Sequence, residues 1–233
     1  MSTKVFGFSE LQNAYKLALE NAEQLCKDAT ILCENGSYPH AYALYQLSRE
    51  ESGKCLLLQY AILYDALGIQ IDNNWLKKMG FVSHVSKTRN SLGLENLIIS
   101  FIEHMEFVDL LKLHKELDQS AANIKQTDKL KNASLYVGFD GNKFVSPPQI
   151  IKKNMLNDIS VTAEVCIWGA KEIRWTEDRL TKLIDYLRQS KDKEKYELLD
   201  SLKKVLYYGF KDDAIDYFKQ IDLFLSSSIG GEE

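Results

Sequence analysis

The sequence predicts an all-α fold, a helical bundle with one small hairpin or extended insertion near residues 134–148. Three observations point to it. First, the 233 residues include only three prolines and twelve glycines, so little in the chain interrupts long helices. Second, Leu11, Tyr15, Ala18, Ala22, Leu25, Ala29 and Leu32 follow one another in alternating steps of four and three, the apolar stripe on which bundle helices pack. Third, strand-like composition is confined to "SLYVGFDGNKFVSPPQI". There a β-prone run from Leu135 to Phe139 meets the turn pair Asp140-Gly141, then Phe144-Val145 and two prolines.

The elements follow in order. Ser9 with Gln12 has the spacing of a capping box and starts the first helix, which stops at "ENGSYPH". A second helix is expected from about Pro39 to Ala66, closed by Gly68. A short amphipathic piece covers Asn73 to Met79. A third long helix is expected from Phe81 or Ser83 to about Leu117. The polar "SAANIKQTDKLKNA" reads as a loop or frayed helix. After the insertion, two helices are expected, about Pro148 to Gln189 and Lys193 to Ser226, with a disordered tail at 227–233. No internal repeat is apparent. The whole reads as a single helical domain over 1–233, with its core in 8–118.

Composition narrows the function classes. The chain is 45% hydrophobic and 27% charged, ordinary values for a globular protein. A net charge of -4 supplies no global basic field, so any RNA contact must come from a local patch. Cys26, Cys33, Cys55 and Cys166 form no CxxC pair and read as buried free thiols. No secretory h-region and no apolar run long enough for a membrane span is evident, so a cytoplasmic protein is expected. No metal or cofactor motif occurs: HExxH, a Walker loop and GxSxG are absent. "SREESGK" lacks the first glycine of a phosphate loop and lies within a helix. His104 and His114 lie beside carboxylates but form no Glu-x-x-His pair.

One stretch stands out. "LYQLSREESGKCLLLQYA" places Arg49, Glu50, Glu51 and Lys54 around Gly53 in a helix that is apolar above and below. On a 3.6-residue period Glu51 interrupts the face of Leu44, Ser48, Cys55 and Leu58, and Glu50 and Lys54 interrupt that of Ala43, Leu47 and Leu57. As a surface pair, Glu50 and Lys54 at i,i+4 contribute only about 0.2–0.5 kcal/mol. The apolar flanks favour instead a sheltered charge set, which is weak evidence for stability and better evidence for a site. Gly53 weakens a helix interior by about 1 kcal/mol, but lets another backbone or a ligand approach. A second cluster opens the third helix in "FVSHVSKTRNS", where His84 and Lys87 share a face and Arg89 lies nearly half a turn away. His84 can exchange a proton near neutrality, Glu50 or Glu51 can orient it, and Lys54 and Lys87 can neutralise a phosphate.

These segments resemble a known family. "ALYQLSREESGKCLLL" is similar to the Glu-Glu-x-x-Lys helix of the AbiV abortive-infection family, "SHVSKTRNSL" to its His-x-x-Lys segment, and "SLYVGFDGNKFVSPPQI" to its Tyr-Val…Ser-Pro segment. The order and spacing of all three fit, over roughly residues 10–170. The resemblance implies a HEPN-like helical bundle and anti-phage defence by a homodimeric, metal-independent endoribonuclease with no cofactor. An RNA substrate and a phage-encoded activator protein are then the expected partners. In that reading His84 is general acid or base, Lys87 and Lys54 stabilise the phosphorane, Glu51 with Glu50 holds the cations, and Arg49 and Arg89 contact RNA. One departure keeps an alternative open. HEPN ribonucleases usually carry an arginine and a downstream histidine with four to six residues between them, and no arginine here has one at that offset. A non-catalytic HEPN-type module that binds a phage protein, nucleotide or the translation machinery is the second reading. A buried structural network is the third.

Overall fold

The computed structural model describes residues 4–102, 121–189, 191, 193–211 and 214–227. Ten helices and two two-stranded sheets make up these residues, an all-α bundle as expected. In chain order they are β1 (Val5–Phe6), α1 (Phe8–Glu34), α2 (Tyr38–Ala66), β2 (Ile71–Asp72), α3 (Asn73–Lys78) and α4 (His84–Ile102). Then come α5 (Ala121–Leu135), β3 (Gly138–Phe139), β4 (Phe144–Val145) and α6 (Pro147–Ile150). The chain closes with α7 (Met155–Glu172), α8 (Glu177–Gln189), α9 (Lys193–Phe210) and α10 (Ala214–Ser226). The described residues fall into two compact units, one from the stretches 4–14, 57–82 and 174–227, the other from 15–56, 83–102 and 121–173.

Local chemistry accounts for most boundaries. At the start of α1 the expected capping box is replaced. The helix begins earlier, and the Glu10 carboxylate accepts from the Gly7 N–H at 3.3 Å. Gln12 donates instead to the Trp175 carbonyl at 2.6 Å. At its other end Gly36 adopts φ +76°, and the Ser37 N–H bonds to the Leu32 carbonyl at 2.8 Å. That is the 6→1 bond of a Schellman stop, which favours glycine. Asp72 caps α3 by accepting from the Trp75 N–H at 2.7 Å, and the Ser83 hydroxyl accepts from Ser86 N at the start of α4.

Three expectations need correction. The polar stretch read as a loop or frayed helix is a regular helix, α5, with Ile124 buried and Lys131 buried beside it. Its polarity misled because its inward side is held by an ion pair rather than by a hydrophobic stripe. The expected helix from Pro148 to Gln189 is three helices, broken at 151–154 and 173–176. The expected helix from Lys193 to Ser226 breaks near Lys211, which stands at φ 49°. Of the third long helix, α4 is seen to Ile102; the expected continuation to Leu117, with His104 and His114, lies outside the described residues. The hairpin forms as expected, with Phe139 opposite Phe144 and Gly138 opposite Val145.

The second unit centres on Ala22, Cys26, Ala29, Ala41, Tyr42 and Tyr45 from α1 and α2, against Ile159, Ala163 and Ile167 of α7. There α4 packs on α7 and α5 packs on both α4 and α6. In the first unit Trp75, 1% exposed, lies between Tyr64 and Phe210 with ring centroids 5.9 and 5.5 Å away. No helix among the described residues is long and apolar enough to cross a membrane.

All four cysteines are free thiols, three of them buried. Burial pushes the Cys55 thiol up to about 12 and raises Cys26 as well. Because the thiolate is the nucleophile, an alkylating reagent at mildly alkaline pH is expected to modify the half-buried Cys33 first. Cys55 and Cys166 should react only on unfolding, and rapid labelling of Cys55 in the folded protein would contradict this packing.

Candidate functional site: a buried glutamate shared by a histidine and two lysines

The middle of α2 is buried on nearly every side, and it brings Glu50 to α4 and α5 within the second unit. The approach of α4 depends on Gly53. A Cβ built there would lie 2.1 Å from the Lys87 carbonyl oxygen and 3.0 Å from the Ser91 nitrogen. No real Cβ tolerates such a distance, so glycine is what lets the two backbones touch. The neighbouring positions are small and polar. Ser48 donates to the Ala22 carbonyl at 2.7 Å, Ser52 to the Ser48 carbonyl at 3.1 Å, and Ser91 to the Thr88 carbonyl at 2.8 Å.

Glu50, whose side chain is 1% exposed, is the hub. One carboxylate oxygen lies 2.6 Å from His84 Nδ1 and 3.8 Å from Lys87 Nζ. The other accepts from Lys131 Nζ at 2.7 Å. A carboxylate this deeply buried requires partners of this kind, since an isolated buried charge is costly by several kcal/mol. Asp128, one turn from Lys131, adds a second contact to it at 2.9 Å.

The two lysines respond in opposite directions. Burial pulls the Lys87 ammonium below the ordinary lysine value, outweighing the attraction of Glu50. Burial presses on Lys131 too, but its hydrogen bonds to Glu50 and Asp128 prevail and raise it. Lys131 is therefore held as a cation by two carboxylates, whereas the charge on Lys87 is disfavoured by its burial. Glu51 and Lys54 also act on Lys87 electrostatically.

His84 occupies the rim. Its side chain is 58% exposed although Nδ1 is tied to a buried carboxylate. A carboxylate on Nδ1 favours the proton on that nitrogen and leaves Nε2 as the exchangeable position. The arrangement can hold an imidazole in one orientation, pass a proton at a solvent-facing atom, and place a positive charge beside it.

The other expected residues fall as follows. Lys54 pairs with Glu51 at 2.6 Å, i,i+3, both partly buried, while Glu50 turns toward α4 and α5. Arg49 is buried and donates to Gln46 Oε1 at 3.2 Å, and the Gln46 amide reaches Thr88 Oγ1 at 3.5 Å. Arg89 is exposed on α4. Lys131 escaped the sequence reading altogether. The pattern that marked Glu50, a charge interrupting apolar stripes, is missing around Lys131, because most of α5 is polar. Among the described residues no three His, Cys, Asp or Glu side chains gather as a metal ion would require.

No curated protein and no solved structure matches the chain. Residues 10–168, which include Glu50, Gly53, His84, Lys87, Lys131 and the hairpin, match the AbiV family of HEPN domains. With more than half of its length inside that match, this chain belongs to the AbiV abortive-infection family of HEPN proteins.

Proposed function

We propose that the chain is an abortive-infection toxin that cleaves RNA without a metal ion and so arrests translation, acting as a homodimer and released by a phage-encoded activator. The observation that carries this reading is the exposed imidazole of His84 held through Nδ1 by the buried Glu50. In the proposed step, His84 Nε2 takes the proton from a ribose 2′-hydroxyl. The freed oxygen bonds to the adjacent phosphorus, the bond from phosphorus to the 5′-oxygen breaks, and a proton passes to that departing oxygen. The products are a 2′,3′-cyclic phosphate and a 5′-hydroxyl. Lys87 supports the charge that builds on the phosphorane, with Lys54 as the second cation. Glu50 keeps imidazole and lysines in place, with Lys131 completing its coordination, and Glu51 holds Lys54. Arg89, exposed on α4, contacts the RNA; Arg49, buried, supports the helix pair from inside.

Induction of wild type and His84→Ala, followed by growth measurement and gel analysis of cellular RNA, tests this. Wild type is expected to arrest growth and fragment RNA, and the variant, folded because the side chain is largely exposed, to do neither. Fragmentation that persists in His84→Ala would remove the histidine from the chemistry. The missing arginine–histidine spacing favours a second reading, a non-catalytic binding module; arrest with total RNA intact is its expected signature.

A further inference from the structure

The net charge of the chain is negative, yet residues 121–153 hold six lysines against two aspartates, a net +4. Lys125, Lys129, Lys143, Lys152 and Lys153 of this segment are exposed. Between them stands the hairpin, whose aromatic residues face solvent: Tyr136 is 65% exposed, Phe139 63% and Phe144 77%. The two phenylalanines pair across the strands with centroids 5.4 Å apart and planes tilted by 52°. Such a cross-strand pair contributes only about 0.2–1 kcal/mol to the hairpin, and most of each ring's surface is left in water. Asp140 is committed to the turn, its Oδ1 accepting from the Asn142 and Lys143 N–H groups at 2.9 Å. Beyond the hairpin, Tyr38, His40, Pro147, Pro148, Lys152 and Lys153 line an open cleft of about 610 Å³.

We propose that this segment is a single-stranded RNA track, in which Tyr136, Phe139 and Phe144 stack on bases while the lysines follow the phosphates, leading the strand toward His84. The proposal rests on the ribonuclease reading above and names how its substrate is held. Continuity supports it. Lys131 contacts Glu50, and Tyr136 lies five residues further on, its N–H bonded to the Asn132 carbonyl, about 7 Å along the helix axis. Charge supports it too. Alternating cations and aromatic faces are what sequence-tolerant single-strand binders present, and pairing this surface with its own copy would oppose like charges. A duplex keeps its bases stacked on one another, so the rings select an unpaired strand.

Binding of a labelled single-stranded RNA of roughly 15 nucleotides is measured by fluorescence anisotropy in a His84→Ala background, which separates binding from cleavage. Tyr136→Ala alone is expected to weaken binding roughly 5- to 150-fold, the range for loss of one base stack, and Phe139→Ala with Phe144→Ala at least as much. Lys152→Ala with Lys153→Ala is expected to weaken it and to flatten its dependence on salt. Unchanged melting curves confirm that these exposed substitutions leave the fold intact. Hairpin variants that bind RNA like the parent would overturn the track. So would variants that keep RNA affinity but lose self-association, since the rings would then be a contact between copies. If wild type binds through the hairpin yet leaves RNA whole, the track stands and the ribonuclease reading falls. If RNA is cleaved but its binding does not depend on the hairpin, the track falls and the ribonuclease reading stands.

Discussion

Glu50→Ala is expected to destabilise the fold by about 3–5 kcal/mol, the usual consequence of removing one partner from a buried ion pair. Two ammonium groups would remain with little access to water, since the side chains of Lys87 and Lys131 are 9% and 7% exposed. Asp128 still holds Lys131, which places the effect toward the lower end. For a chain of this size it corresponds to a fall in Tm of roughly 6–12 °C. Glu50→Gln separates stability from chemistry. The amide keeps the shape and can accept from Lys131, but presents an N–H group to His84 Nδ1. That favours the other tautomer and puts the ring proton on Nε2, where the proposed base must accept. A folded Glu50→Gln protein that cleaves RNA at the wild-type rate would refute the positioning role. The Lys131 contribution also has a definite pH sign. Its folded value is raised, so its stabilising effect is complete below the ordinary lysine pKa and lost as pH rises through the folded value. Wild type should therefore lose more stability than Glu50→Gln on going to strongly alkaline pH.

Gly53→Ala is the second large effect, and two opposed terms decide its sign. Alanine favours the helix by about 1 kcal/mol. Against this, its Cβ would meet the Lys87 carbonyl at 2.1 Å, and the obstacle is backbone rather than a flexible side chain. Overpacking usually costs about 1–3 kcal/mol, sometimes more, and a clash this short belongs at the upper end. A net loss of about 2 kcal/mol is expected, with Tm lower by roughly 4–8 °C. The functional loss should exceed what the melting curve implies. Relieving the clash moves α4 away from α2, and α4 carries both His84 and Lys87 relative to Glu50. Thermal denaturation with an RNA-cleavage assay on the folded fraction checks this. Equal or greater stability in Gly53→Ala would show that the helices are not in contact there.

Much of this architecture was legible because it is local. The alternating stripe of α1, the glycines that stop α1 and α2, and the Asp-Gly hairpin each require only neighbouring residues to be read. Half of the site was legible for the same reason. Charges at Glu50 and Lys54 interrupt apolar faces, and His84 and Lys87 share one turn. What escaped depends on contacts between distant residues. The roles of the two glutamates separate only when α4 and α5 arrive: Glu50 turns to them and Glu51 stays with Lys54. Helix α5 looked like a loop or a frayed helix because the partner that buries Lys131 lies 81 residues away. The breaks at 151–154 and 173–176 contain no proline or glycine.

That separation has a consequence for biosynthesis. Glu50 leaves the ribosome well before Lys131, and at 5–20 residues per second the interval is about 4–16 s. Throughout it the carboxylate has no second cation, so the nascent protein carries an unfinished centre. Translation that stops within this interval releases a fragment without the residue that completes the Glu50 hub.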